Sequence, residues 1–144
     1  MLAIHIGSPK TGTTAIQGVL KGNSGLLAER GYHYVQAGRT NISHNSLVKP
    51  LLKGRAEETL CAIRNEVAAH PAATHVISSE VFFQPAVAQR LADGLVGVNK
   101  PIKIVVYLRR PDQYAEAMYK QKVKNGRIDP DPEQFLSTFL PQLS

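Results

Sequence analysis

The sequence predicts an α/β fold built on a central parallel sheet. Short apolar runs alternate with segments of helical period along the 144 residues, the order that makes a parallel sheet with helices on its faces. The run Leu2-Ala3-Ile4-His5-Ile6 is short and apolar, as a parallel strand buried on both faces requires. It leads through Gly7-Ser8-Pro9-Lys10-Thr11-Gly12-Thr13-Thr14 into a helix-like pattern, a strand–loop–helix unit. A hydrophobic fraction of 43% suits one globular domain spanning 1–144.

After the first strand, Thr13 to Lys21 carries Ile16, Val19 and Leu20 at helical spacing. Gly22 and Gly25 interrupt the pattern, Leu26 to Arg30 resumes it, and Gly31 sits where helices end. Tyr32-His33-Tyr34-Val35 reads as a second strand, and residues 36–54 as a long polar, Gly-bearing loop over the sheet edge. Arg55 to Ala69 is helical, with Leu60, Ile63 and Val67 on one stripe, Cys61 as a small packing residue and Pro71 closing the segment. His75-Val76-Ile77-Ser78-Ser79 is a third strand, followed by a helix over Ala86–Leu95. Ile102 to Leu108 is the fourth strand. Pro111 opens the next helix at its first position, with Tyr114, Ala117 and Met118 as its inner face. Asp131-Pro132-Glu133-Gln134 has the form of a capping box before a last helix holding Phe135, Leu136, Phe139 and Leu140.

The 7–14 loop is an anion cradle by construction. Backbone N–H groups of the loop and of the first helical turn converge, and the helix dipole favours negative charge there. It departs from the Walker A pattern, in which Lys follows the second Gly and the next hydroxyl holds magnesium. Here Thr13 follows Gly12, and Lys10 precedes it. A nucleoside triphosphatase reading therefore loses ground.

In open parallel sheets ligands bind beyond the carboxyl ends of the strands. That rule selects the 7–14 loop, Glu80 after the third strand and Arg109-Arg110 after the fourth. Arginine makes bidentate contacts with phosphate oxygens, so Arg109 and Arg110 form a second anion site. Glu80 is a candidate general base, and His44 in the long loop is the competing base. His5 reads as a structural residue inside the strand. No Cys, His, Asp and Glu set has metal-ligand spacing, so no metal is expected.

The net charge of +6 suits a polyanionic small molecule, nucleic acid or an acidic surface without choosing among them. The Lys120–Lys124 cluster, with Arg127 near it, reads as a solvated helix face. One cysteine excludes an internal disulfide. No apolar run approaches membrane-spanning length and no signal-peptide pattern is seen, so a cytoplasmic protein is expected.

Pro9-Lys10-Thr11-Gly12-Thr13-Thr14 resembles the 5′-phosphosulfate loop of the sulfotransferases that use 3′-phosphoadenosine 5′-phosphosulfate (PAPS). Val106-Tyr107-Leu108-Arg109-Arg110-Pro111 resembles their 3′-phosphate segment, and Ser78-Ser79-Glu80 is similar to a strand end of the bacterial branch. The resemblance covers nearly the whole chain and corresponds to the N-terminal part of a usual family domain. It implies a P-loop-like three-layer α/β/α fold. It also implies PAPS as co-substrate without a metal, and sulfuryl transfer to a hydroxyl or amine acceptor, a carbohydrate or lipid among the candidates. Pro9, Lys10, Thr11, Gly12, Thr13 and Thr14 would hold the 5′-phosphosulfate, with Lys10 also catalytic, and Arg109 the 3′-phosphate with Arg110 beside it. A small-molecule nucleotide and a hydroxyl-bearing acceptor are the expected partners, not nucleic acid, and a homo-oligomer stays open. The family usually has serine eight residues after the 3′-phosphate arginine, where this chain has Ala117. A non-catalytic nucleotide-binding module and a divergent P-loop kinase are the alternatives.

Overall fold

The computed structural model describes residues 1–126, 131–139 and 141. Arg127 and Leu140, singled out above, lie outside the described residues. The chain divides into two compact units, Met1–Tyr107 and Leu108–Ser144.

The first unit is α/β. Its strands are β1 (Leu2–His5), β2 (Tyr32–Tyr34), β3 (Thr74–Ser78) and β4 (Ile102–Val105), all parallel, in the order β2-β3-β1-β4. Between β1 and β2 lie α1 (Thr13–Gly22) and α2 (Ser24–Glu29). Between β2 and β3 lie α3 (Val48–Leu52) and α4 (Glu57–Ala69), and α5 (Pro85–Gly94) leads to β4. The chain leaves β1 in one direction across the sheet and leaves β3 in the other.

Register gives the sheet two chemically different faces. Leu2 and Ile4 of β1 lie beside His75 and Ile77 of β3. They enter a core with Leu47, Leu51, Ile63 and Phe82, all buried. Each such side chain contributes roughly 1.5–3 kcal/mol by leaving water. On the other face His5 is the register partner of Ser78, and α1 meets that pair through Gln17, which is 2% exposed.

Three expectations change. The segment 36–54 is not loop throughout: a 3-10 turn at Asn45–Leu47 runs into α3. Pro50 argues against a helix in the sequence, but it falls in the first turn, where its missing N–H costs nothing. Leu47, Val48 and Leu51 are buried and hold the turn down. Cys61 is exposed, because it stands one residue off the Leu60–Ile63–Val67 stripe. β4 ends at Val105 and is an edge strand, with Ile102 46% and Ile104 54% exposed rather than covered on both faces.

The second unit holds α6 (Pro111–Lys124) and α7 (Pro132–Phe139). Asp131 Oδ1 accepts from the Glu133 amide at 2.9 Å, the expected N-terminal cap. Phe135 and Phe139 stack at 4.8 Å and pack on Ala115, with Tyr114 and Met118 beside them. The buried position of α6 is therefore Ala115, and Ala117 is half-buried.

Candidate anion-binding site

The site is built where β1 stops. Gly7 turns the chain with φ of 43°, Lys10 takes φ of 66° and Gly12 takes φ of 85° as the residue before α1. Positive-φ residues this close together are the kind of turn in which backbone N–H groups can form an anion nest. Lys10 has a Cβ and pays for that conformation, a cost of about 1–3 kcal/mol of the kind found at ligand sites. Inside the loop the Thr11 hydroxyl donates to the Ser8 carbonyl at 2.6 Å. No side chain caps α1, so the dipole end of a ten-residue helix faces the loop.

Glu80 stands beside this helix end. β3 is the neighbour of β1, so its carboxyl end delivers Glu80 against the loop. Thr13 Oγ1 donates to Glu80 Oε2 at 2.8 Å, and Glu80 is half-buried. Ser79 caps the 3-10 turn Glu80–Phe83: its Oγ accepts from the Val81 amide at 3.1 Å and donates to Asn45 Oδ1 at 2.6 Å. Pro9, Lys10 and Thr11 are half-buried, and Gly12 and Thr14 exposed.

His44 is buried completely, and its amide donates to the Ser78 carbonyl at 2.8 Å. Nδ1 accepts from the Ser78 amide at 3.1 Å. Burial pushes its pKa down to about 4, against the Ser78 backbone contact and with help from Arg39. The ring is neutral and turned to the backbone of β3. Tyr34 packs edge-on against it at 5.5 Å and donates to the Ile42 carbonyl at 2.6 Å.

His5, taken from the sequence as structural, belongs to the floor of this site. Its Nδ1 is 2.7 Å from Ser78 Oγ, which also accepts from Gln17 Nε2 at 3.1 Å. Burial lowers its pKa, with Glu80 opposing. The only sequence signal was its place, two residues before Gly7 at a strand end. Gln17 gave none and Ser78 only its place in Ser78-Ser79-Glu80, since their link to His5 exists only after the strands pair.

Arg109 and Arg110 lie in the second unit, at the start of α6. Arg110 donates from Nε at 3.1 Å and Nη2 at 2.6 Å to the Asp112 carboxylate. That pairing holds Asp112 down to about 2. Glu116 is held below the usual carboxylate range by Lys120 at 2.5 Å, with Arg109 adding to the effect.

Among the described residues no group of three or more His, Cys, Asp and Glu is arranged to hold a metal ion, and no helix is long and apolar enough to cross a membrane. Fold and loop together define an α/β protein with a nest and a helix N-terminus at the end of its second-from-edge strand. Comparison of the chain with protein-family models, curated proteins and solved structures gave no match.

Proposed function

We propose that this chain is a PAPS-dependent sulfotransferase domain that moves a sulfuryl group to a hydroxyl or amine acceptor. The observation that carries the reading is the nest at 7–14, with Lys10 held left-handed ahead of Gly12 and a carboxylate, Glu80, bound to the first residue of the following helix. On this reading the fold is P-loop-like and three-layered. Strand order supports that: right-handed crossovers that leave β1 and β3 in opposite directions carry α1 and α2 to one face and α3, α4 and α5 to the other.

The residues fit a phosphosulfate. Gly7 lets the chain turn close over the helix start, since a Cβ there would clash with the Thr13 methyl carbon at 2.6 Å, and the N–H groups of Thr13 and Thr14 have no intrahelical acceptor. Bound nucleotide supplies the sulfuryl group. The backbone of Thr11 to Thr14 orients it, Lys10 faces the bridging oxygen, and the dipole of α1 adds to the field. Glu80 takes the acceptor's proton while the acceptor oxygen bonds to sulfur and the bond from sulfur to the bridging oxygen breaks. Lys10 then meets the charge left on that oxygen. Thr13 aims the Glu80 carboxylate toward the loop. Geometry favours Glu80 over His44 as base, because the His44 ring is buried against the Ser78 backbone. Arg109 is the proposed 3′-phosphate contact. Arg110, beside it, would have to exchange Asp112 for a ligand.

The test is transfer of labelled sulfate from PAPS to a panel of saccharide, lipid-headgroup and small-alcohol acceptors. Transfer supports the reading. Binding of adenosine 3′,5′-bisphosphate without transfer would favour a non-catalytic module, the reading that Ala117 in place of serine supports, and magnesium-dependent ATP turnover would favour a kinase.

A further inference from the structure

β4 is an edge of the sheet, and its outer side is unpaired. The Leu2 amide donates to the Pro101 carbonyl and the Ile6 amide to the Val105 carbonyl, each at 2.9 Å. In a parallel ladder alternate residues turn their N–H and C=O groups to the same neighbour. Lys103 and Val105 therefore face β1. Ile102 and Ile104 present their N–H and C=O groups to the other side, where β4 has no second strand. On that side neither makes a hydrogen bond among the described residues.

The side chains at this edge are apolar as well. Ile102 and Ile104 are the register partners of Leu2 and Ile4, so they lie on the core face of the sheet. Leu2 and Ile4 are buried there, while Ile102 is 46% and Ile104 54% exposed, with Val106 beyond them at 41%. Edge strands that stay single are blunted by a proline, a bulge or a charge on the apolar face. β4 has none of these: its register is continuous, and its one charge, Lys103, is on the opposite face.

A second copy fits this edge by register. A two-fold axis perpendicular to the sheet sets β4 antiparallel to its own copy, with the core faces of the two sheets continuous. Two registers lay most of β4 against itself. With Lys103 on the axis, two ammonium side chains meet in the close, non-hydrogen-bonded pair, which is unfavourable. With Ile104 on the axis, Ile104 meets the partner's Ile104, Ile102 meets the partner's Val106, and Lys103 meets the partner's Val105. The outward N–H and C=O groups of Ile102 and Ile104 then all gain partners. We propose that β4 is an interface between two copies of this chain, whose four-stranded sheets join into one through Ile104 on the two-fold axis. The inference is independent of the anion-binding reading. The pairing is short, so the dimer is weak. A net charge of +6 on each copy opposes it, so added salt strengthens it.

Sedimentation equilibrium of the full chain should show a reversible monomer–dimer equilibrium that salt shifts toward dimer. Ile104→Pro removes an N–H that no bond within the chain uses, the position at which an edge strand tolerates proline. It should keep the wild-type circular dichroism spectrum and sediment as a monomer. Register is read by disulfide trapping in a Cys61→Ser background. The Cα atoms of a hydrogen-bonded antiparallel pair are about 5.5 Å apart, a spacing that a disulfide spans. Ile104→Cys should therefore cross-link two copies on oxidation, and Ile102→Cys should not. A wild type that stays monomeric to millimolar concentration overturns the proposal, and so does a dimer in which Ile104→Cys fails to cross-link. Should Ile104→Pro not fold, the cross-link alone decides.

Discussion

Lys10 holds two assignments at once, a left-handed backbone with φ of 66° and the charge of the loop. Its side chain is asked to act only as negative charge develops, so Lys10→Ala should abolish sulfuryl transfer with a smaller loss of nucleotide affinity; unchanged turnover would remove it from the mechanism. Gly7 is a backbone case. Its φ of 43°, and a Cβ position 2.6 Å from the Thr13 methyl carbon, leave no room for a side chain. Gly7→Ala should cost about 1–3 kcal/mol in urea unfolding and weaken anion binding together with it. The two base candidates separate by kinetics. Glu80→Gln should lower kcat by about two orders of magnitude or more, the scale of a lost general base. His44→Ala should act mainly through stability, because it vacates a fully buried site against β3.

At the scale of elements, β3 carries the site at one end and a histidine stack at the other. His33 and His70 stack at 4.4 Å, and His75 meets His33 at 5.5 Å. His75 is buried, and burial, then Lys100, then the neighbouring histidines push its pKa down to about 4. Lys100 itself donates to the carbonyls of Pro71 at 2.7 Å and Ala73 at 3.1 Å, tying the α4–β3 connection. His33 donates at 2.6 Å to Glu66, which also accepts the amides of Gln36 and Ala37 at 2.7 and 2.8 Å. Burial opposes the ionisation of Glu66, but these donors outweigh it and hold the carboxyl below its usual range. His75 and His44 share one sign: their folded values of about 4 lie beneath the ordinary 6.5. The unfolded chain binds protons first, so stability is full above about pH 6.5 and falls as pH drops through 4. Urea midpoints measured across that window should decline, and His75→Phe should flatten part of the slope; a midpoint independent of pH would contradict the burial argument.

For the whole molecule, the candidate residues belong to different units: the 7–14 loop and Glu80 to Met1–Tyr107, and Arg109 and Arg110 to Leu108–Ser144. Arg109→Ala should weaken adenosine 3′,5′-bisphosphate by about 10–100-fold, the value of a charge-assisted contact, while leaving adenosine 5′-phosphate nearly unchanged. Equal losses for both nucleotides would reassign Arg109 away from the 3′-phosphate.

The sequence by itself determined what local periodicity determines. Apolar runs and helical stripes gave the four strands, the helices α1, α2, α4, α5, α6 and α7, and the cap at Asp131, because those patterns depend on neighbours a few residues away. Glycine and threonine offsets likewise made the 7–14 loop legible before any strand was paired. The tertiary structure decided what depends on order and register. It converted Val48–Leu52 into a helix by burying Val48 and Leu51, and left β4 at an exposed edge. It also brought His5 to Ser78 across 73 residues, Gln17 to Ser78 across 61, and Thr13 to Glu80 across 67. Periodicity says which face of a strand a side chain occupies. Which strand lies beside it, and in what register, follows from crossovers and core packing of the whole chain, and that is why the floor of the loop became visible only in three dimensions.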